Sequence, residues 1–149
     1  MELNILRADP AGNITVFVLD PVEKAQRAAI AEKIMAIPAL KAEQVGYACA
    51  AEDDVDGHME MMGGEFCGNA TRAYGMYIAQ QKGGLSSVRL RVSGCDHAVT
   101  AQVDLKSGTA RAEMPCPRSV KRVTVNGHEG TLVDLTGIAP VSYTHLTLP

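Results

Sequence analysis

One short segment constrains the fold and the chemistry of this chain most, because it places a cysteine between glycines where a helix is predicted to begin. The segment reads Gly63-Gly64-Glu65-Phe66-Cys67-Gly68-Asn69-Ala70-Thr71-Arg72. The first amides of a helix have no partner inside the helix and lie at the positive end of its dipole. Such a position favours the thiolate form of a cysteine, and the Gly68 and Asn69 amides are left to bind a carboxylate. Removal of an amino acid α-proton requires this pairing of base and carboxylate site.

The composition excludes several classes of function. The 149 residues are 46% hydrophobic, which is enough for a packed core, but only 4% aromatic, so the core must be aliphatic. The net charge is −3 and no basic run occurs, which argues against nucleic acid or an anionic membrane surface as the partner.

The cysteines and the N-terminal residues predict a cytoplasmic location. No signal-peptide core occurs at the start and no apolar run reaches membrane-spanning length. Four cysteines are then expected to be reduced thiols. No Cys-x-x-Cys pair occurs, so we expect no metal site.

The first half of the chain predicts strands alternating with two helices. Residues 13–19 read as a strand covered on both faces. A helix is expected to begin with Asp20 as its cap and to stop by Ile37, before Pro38. Residues 45–50 and 58–62 are short strands, and a largely buried helix follows over about 67–82, ended by Gly83-Gly84.

The second half changes to a period of two, which is typical of antiparallel strands. Residues 88–92, 97–105 and 109–114 read as strands, with a hairpin turn at Lys106-Ser107-Gly108. Pro115-Cys116-Pro117 interrupts the pattern and predicts a boundary. Residues 120–125 and 129–135 form another predicted hairpin. Two helices on a mostly antiparallel sheet give the α+β class.

Three motifs in order resemble the cofactor-independent amino-acid racemases and epimerases of the diaminopimelate epimerase fold. They are Gly12-Asn13, Glu43-Gln44-Val45-Gly46, and Cys67-Gly68-Asn69 with Arg72 on the same helix. The histidine racemase branch of this family is the one that the chain resembles most. The residues that carry this resemblance are Glu43-Gln44-Val45-Gly46, Gly64-Glu65-Phe66-Cys67-Gly68-Asn69-Ala70-Thr71 and Val92-Ser93-Gly94-Cys95. Diaminopimelate epimerase carries an Asn and an Asp-Gly-Ser segment where this chain has residues 59–64, which argues against diaminopimelate as the substrate.

The resemblance implies a fold of two similar lobes, each a sheet wrapped around a central helix. It assigns residues 1–116 to the first lobe and 117–139 to the beginning of a second. The Cys-Gly-Ser/Thr-Gly motif of the second lobe is absent, so a missing C-terminal lobe is the expected partner. Residues 140–149 resemble a non-native tail. Without that lobe, we expect the uncovered surface to favour aggregation or the formation of a homodimer.

The resemblance also implies a reaction and a set of site residues. Cys67 would be one acid/base of a two-cysteine proton transfer that inverts the α-carbon of an amino acid without pyridoxal phosphate or another cofactor. The Gly68 and Asn69 amides would hold the α-carboxylate, and Asn13 and Gln44 would add side-chain hydrogen bonds. With half of the catalytic pair, the chain alone is expected to be inactive.

Other interpretations remain open at this point. The chain could belong to a diaminopimelate epimerase, or to a non-catalytic amino-acid-binding module of the same fold. Cys67 could be a small buried residue or the nucleophile of a hydrolase, which would need a paired histidine from His58, His97 or His128. Cys95 with His97 offers too few ligands for zinc, whereas Cys49 and Cys116 read as core or strand-end residues.

Overall fold

A computed structural model describes residues 2–52, 54–135, 139 and 141–143. The chain divides into two compact units, Met1–Met114 and Pro115–Pro149. The first unit contains seven strands and two helices: β1 Ile5–Ala8, β2 Thr15–Val18, α1 Lys24–Met35, β3 Gln44–Cys49, β4 Gly57–Met61, α2 Gly68–Gln81, β5 Ser87–Val92, β6 Val99–Asp104 and β7 Thr109–Ala112. This arrangement confirms the α+β class.

The seven strands form one mixed sheet in the order β1-β2-β3-β4-β5-β6-β7. The β2–β3 and β4–β5 pairs are parallel, and the other four pairs are antiparallel. A parallel pair of neighbouring strands needs a crossover connection, and α1 and α2 are those two crossovers. Thr15 pairs with Gln44 in the β2–β3 register, which brings two distant polar residues side by side.

Both faces of β2 are buried, as the sequence predicts, because each face belongs to a different core. Val16 and Val18 pack with α1 residues Ala31 and Ile34. Phe17, on the opposite face, packs with the larger core around α2, to which residues of all seven strands contribute. The sheet therefore curls around α2 as a central helix, in agreement with the implied lobe.

The central helix lies very close to the sheet at Gly75. A Cβ atom added there would lie 2.8 Å from the Cβ atom of Ala101 on β6. The helix ends as predicted, since Gly83 and Gly84 adopt positive φ angles of 81° and 88° and the Gly84 amide donates to the Ala79 carbonyl over 2.8 Å. Close packing of this kind fixes the height of α2, and hence of its first residues, above the sheet.

One prediction about local structure is wrong, and one strand was not predicted. Asp20 does not cap α1, because its carboxylate accepts hydrogen bonds from the backbone N and the side-chain Nδ2 of Asn4, over 2.5 and 3.0 Å. The helix begins later, at Lys24, with Glu23 at the N-cap position and no side-chain capping bond. The sequence analysis also missed β1, which pairs with β2 through residues 5–8.

The second unit contains the hairpin of β8 Ser119–Val125 and β9 His128–Asp134. Its turn, Asn126-Gly127, has φ angles of 52° and 80°, which an Asn-Gly pair tolerates well. Three residues of the expected tail, Val141–Tyr143, form β10 and pair with β9. Residues 136–138, 140 and 144–149 lie outside the described residues, and the non-native origin of 140–149 stays a prediction.

Candidate active site

Cys67 is the N-cap residue of α2. Its backbone is extended (φ −129°, ψ 108°), and its Sγ atom accepts a hydrogen bond from the Ala70 amide over 3.5 Å. Its carbonyl accepts from the amide and the hydroxyl of Thr71, over 2.9 and 2.8 Å. The thiol is free and half-buried. The sulfur is thus held at the positive end of the helix while part of it stays open to solvent.

The segment before Cys67 is fixed by a loop after β5. The Ser93 hydroxyl donates to the Glu65 carbonyl over 2.7 Å and accepts from the Met61 amide over 2.8 Å. The next residue, Gly94, has a φ angle of 74°, and a Cβ atom there would lie 2.3 Å from the backbone N of Phe66. The Val92-Ser93-Gly94-Cys95 motif therefore supports the approach to Cys67, a role that the sequence analysis did not assign to it.

The structure brings Gln44 into contact with Cys67, although 23 residues separate them. The Gln44 Nε2 atom lies 3.3 Å from the Cys67 Sγ atom, and the Oε1 atom lies 3.5 Å from it. The same Nε2 atom donates to the Thr15 Oγ1 atom over 2.7 Å. Gln44 is thus a partner of the sulfur through both ends of its side-chain amide. Thr15, which completes this arrangement, was missed in the sequence analysis.

The Gly68 and Asn69 amides lie on the open side of the helix end. Neither amide has an acceptor within the described part of the chain, as expected of the first residues of a helix. The Asn69 Oδ1 atom accepts a hydrogen bond from the Arg72 guanidinium group. Arg72 therefore orients the Asn69 side chain, whereas the two main-chain donors remain available for an anion.

A cleft of about 640 Å³ opens beside these groups. One wall of the cleft is the start of α2 with the two residues before it, and the other is β7 with a residue that follows it. The first wall consists of Phe66, Cys67, Gly68, Asn69 and Arg72, and the second of Ala110, Arg111, Ala112 and Met114. Two arginines and a helix N-terminus give this cleft a positive potential. The cleft can therefore receive a carboxylate next to the sulfur.

Asn13 is not joined to Cys67 by a hydrogen bond among the described residues. It is half-buried, and its carbonyl oxygen accepts a bond of 3.4 Å from the Thr15 hydroxyl. Asn13 is therefore linked to the sulfur only indirectly, through the hydrogen bonds of Thr15 with Gln44 and of Gln44 with Cys67. Its expected side-chain contact with a substrate stays a prediction.

The other cysteines lie in different surroundings. Burial raises the pKa of the Cys49 thiol. The Arg27 guanidinium, 3.4 Å from the sulfur, partly offsets this rise, because its positive charge favours the thiolate. Burial, followed by the charges of Asp96 and Glu113, raises the pKa of Cys95. Cys49 ends β3 as expected, but Cys116 is exposed in the connection after β7, so its assignment to the core or a strand end is wrong.

No described histidine is hydrogen-bonded to Cys67, and two of them have other partners. His58 Nδ1 lies 3.2 Å from the Ala50 carbonyl, and His97 Nδ1 lies 2.7 Å from the Asp96 carboxylate.

No cluster of three or more His, Cys, Asp or Glu side chains that could hold a metal occurs in residues 2–52, 54–135, 139 and 141–143. In the same residues, no helix has the length and hydrophobicity needed to cross a membrane. Among the described residues, the hydrogen-bond partners of the Cys67 sulfur are thus the Gln44 side-chain amide and the Ala70 amide.

Comparison with known proteins gives one consistent result. Residues 2–148 match the family described as the histidine racemase CntK N-terminal domain. A histidine racemase of Fusobacterium nucleatum subsp. nucleatum is 31% identical over 145 residues, which cover 91% of this chain and 52% of that protein. A histidine racemase of Staphylococcus aureus is 30% identical over 147 residues, which cover 95% of this chain and 52% of that protein. The chain spans about half the length of these curated relatives.

Proposed function

Because this chain belongs to the family of histidine racemase N-terminal domains, we propose that it forms the first lobe of an amino-acid racemase that inverts the α-carbon of histidine. The observation that carries this proposal is the position of Cys67. Its sulfur lies at the N-cap of the central helix, in contact with the Gln44 amide and beside the Gly68 and Asn69 amides, which have no acceptor among the described residues. The named relatives act on histidine, and the same substrate is proposed here.

The α-carboxylate would bind the Gly68 and Asn69 amides. A carboxylate there gains two charge-assisted hydrogen bonds and the favourable end of the helix dipole. Negative charge that develops when the α-proton leaves would be stabilised by the same fixed donors, which need no reorganisation during the reaction. The positive potential from Arg72 and Arg111 would favour the entry of an anionic group.

Inversion needs two proton-transfer groups on opposite faces of the stereocentre. In the forward direction, the Cys67 thiolate would take the α-proton, and a thiol on the other face would give its proton to the carbanion. In the reverse direction the two groups exchange roles. The second thiol would come from a C-terminal lobe beyond this chain, as the family resemblance implies. No cofactor is part of this proposal, since the charge would be stabilised by the protein's own donors.

The location and partners are part of the same proposal. All four cysteines are free thiols, which is the state expected in a reducing compartment, so we place the protein in the cytoplasm. Its partners would be the free amino acid and the second lobe. Size-exclusion chromatography of the chain tests whether the surface expected to face that lobe also forms a homodimer.

Hydrogen exchange in heavy water tests the function. The intact gene product should incorporate deuterium at the α-carbon of L- and D-histidine but not of diaminopimelate, as read by proton NMR. Incorporation into diaminopimelate alone would instead support the diaminopimelate epimerase alternative. Binding of histidine without any exchange would support the non-catalytic module.

A matched pair of cysteine variants tests the role of Cys67. Cys67→Ser should lower the rate of exchange by about 10²–10⁴-fold, the usual contribution of an acid–base group. Cys116→Ser, which changes an exposed cysteine outside the cleft, should exchange at the wild-type rate. Normal exchange by the Cys67 variant would refute the assignment.

A further inference from the structure

Thr15 is a buried polar residue without an assigned role. Its exposed fraction is 0%, because β2 is covered on both faces. A buried hydroxyl costs free energy unless it is hydrogen-bonded. The Thr15 hydroxyl accepts from Gln44 Nε2 over 2.7 Å and donates to the Asn13 carbonyl over 3.4 Å. The shorter and stronger of the two bonds is thus the one to Gln44.

Both polar atoms of the Gln44 side-chain amide, Nε2 and Oε1, face the Cys67 sulfur, so the amide is edge-on to it. One Nε2 hydrogen is directed to Thr15, which leaves the other for the sulfur at 3.3 Å, while Oε1 lies 3.5 Å from the same sulfur. A thiolate needs a hydrogen-bond donor, and a thiol can donate its proton to an acceptor. This orientation offers a donor to the thiolate and an acceptor to the thiol without any movement of the amide.

We propose that Thr15 is a positioning residue that holds the Gln44 amide edge-on to Cys67, so that both protonation states of the sulfur have a partner. The proposal rests on the function given above, in which Cys67 alternates between the two states. Without the Thr15 oxygen, the Gln44 amide would lose its shortest hydrogen bond, and its terminal torsion would vary more widely, because such torsions are broad in themselves.

The backbone makes this arrangement rigid. Thr15 and Gln44 are register partners in the parallel β2–β3 pair. The Glu43 and Gln44 amides both donate to the Ile14 carbonyl, over 2.9 and 3.4 Å, which fixes the start of β3 against β2. The hydroxyl and the amide are thus brought together by the sheet, and a site built on strands positions its side chains closely.

Kinetics of the intact gene product test the proposal. Thr15→Val keeps the shape of the side chain and removes the hydroxyl, whereas Thr15→Ser keeps the hydroxyl. In the valine variant, kcat for exchange of the histidine α-hydrogen should fall by about 10–100-fold, as for other groups that orient a reacting residue, with KM unchanged. The serine variant should restore kcat to near the wild-type value. A fall shared equally by the serine variant would overturn the proposal.

A double-mutant cycle shows whether Thr15 acts through Gln44. In a Gln44→Leu background, Thr15→Val should have no further effect on kcat, because residues that act through one another are not additive. Thr100→Val, an exposed threonine on β6, is the matched control and should leave kcat unchanged in both backgrounds. An undiminished effect of the valine substitution in the Gln44→Leu background would overturn the proposal.

A second readout separates this proposal from the proposed function. Iodoacetamide alkylation of the 149-residue chain, followed residue by residue by mass spectrometry, reports on Cys67 without any substrate. Thr15→Val and Gln44→Leu should change the Cys67 rate in the same direction, with Cys116 as the internal reference. If wild-type protein exchanges no amino acid but this pattern holds, the function fails and the positioning role stands. If the Cys67 rate does not respond to Thr15→Val, the positioning role fails.

Discussion

Single residues decide the geometry before Cys67, and Gly94 is the clearest case. Its φ angle of 74° lies in the left-handed region, and its Cα approaches the Phe66 backbone so closely that an added Cβ would lie 2.3 Å from the Phe66 N atom. Backbone atoms cannot move aside as a flexible side chain can. The glycine therefore joins two constraints, one conformational and one steric, at the segment that carries the cysteine.

Gly94→Ala should be strongly destabilising. Left-handed backbone costs about 1–2 kcal/mol for a residue with a Cβ atom, and a forced overlap in a packed region costs about 1–3 kcal/mol more. Gly108→Ala is the matched control, since Gly108 has a φ angle of 66° but nothing within 4 Å of an added Cβ. Urea denaturation should show a clearly larger loss of unfolding free energy for the Gly94 variant. Equal losses would show that the contact with Phe66 carries no cost.

The residues of the candidate site were only partly predictable from the sequence. The chemistry of Cys67, Gly68 and Asn69 is local, since it follows from a helix start, and it could be predicted from ten consecutive residues. The contact of Gln44 with the sulfur is not local, and it was not predicted: the family resemblance gave Gln44 only an expected hydrogen bond near the reacting centre. Thr15 gave one usable signal, a hydroxyl inside a strand expected to be covered on both faces, because a buried hydroxyl requires a partner.

At the scale of elements, Asp56 joins three parts of the first unit. Its Oδ2 atom accepts from the Arg89 amide over 2.8 Å at β5, and its Oδ1 atom lies 2.9 Å from the Lys82 ammonium at the end of α2. Its own amide donates to the Arg89 carbonyl over 2.7 Å, just before β4. The hydrogen bonds from Arg89 and then Lys82 lower the pKa of the Asp56 carboxyl group.

Asp56→Asn should remove stability that depends on pH. Because the folded state lowers the pKa below the ordinary value of 3.8, the stabilisation is complete above that value and is lost as the pH falls through the folded pKa. At pH 7 the variant should be less stable by about 1 kcal/mol. The gap between the two proteins should close on acidification below pH 3.8, as followed by urea denaturation at several pH values.

A surface carboxylate provides the control for Asp56. Glu32 is exposed on α1, and its side chain forms no hydrogen bond or ion pair within the described part of the chain. Glu32→Gln should therefore give a stability difference that does not follow the Asp56 profile. A gap for Asp56→Asn that stays constant down to pH 2.5 would contradict the assignment of the stabilisation to the ionised carboxylate.

The helices and strands were predicted well where the spacing of apolar residues and the positions of turn residues agreed. The central helix, β3 to β9 and the Asn126-Gly127 hairpin follow from apolar spacing and turn residues, with ends displaced by one or two positions. β1 was missed because Ile5–Ala8 is only partly buried and lacks a distinct apolar face. The cap of α1 was wrong because Asn4, 16 residues away, takes the Asp20 carboxylate, a tertiary contact that local capping patterns do not contain.

At the scale of the whole molecule, the fold class could be predicted because two helices among regular strands allow few packed arrangements. The curling of the sheet around α2 could not be derived from periodicity, since it depends on pairings such as β2–β3 and β4–β5 between distant segments. The structure divides after Met114, whereas the sequence analysis placed the boundary after 116. The interpretation of the two units as one lobe and the beginning of another stays a prediction.

The last prediction concerns what this chain can do alone. Cys67 is the one thiol among the described residues that line the cleft, and these residues include no carboxylate and no histidine. Removal of an α-proton and its return from the same side restore the original configuration, so a single base cannot invert the stereocentre efficiently. The purified 149-residue chain should therefore leave L-histidine unconverted, as measured by chiral chromatography, under conditions in which the proposed two-lobed racemase is expected to reach the racemate. Wild-type Cys67 should still react with iodoacetamide in that chain, which would show that the absence of turnover does not come from a buried thiol. Appearance of D-histidine with the chain alone would contradict the requirement for a second acid/base group from elsewhere.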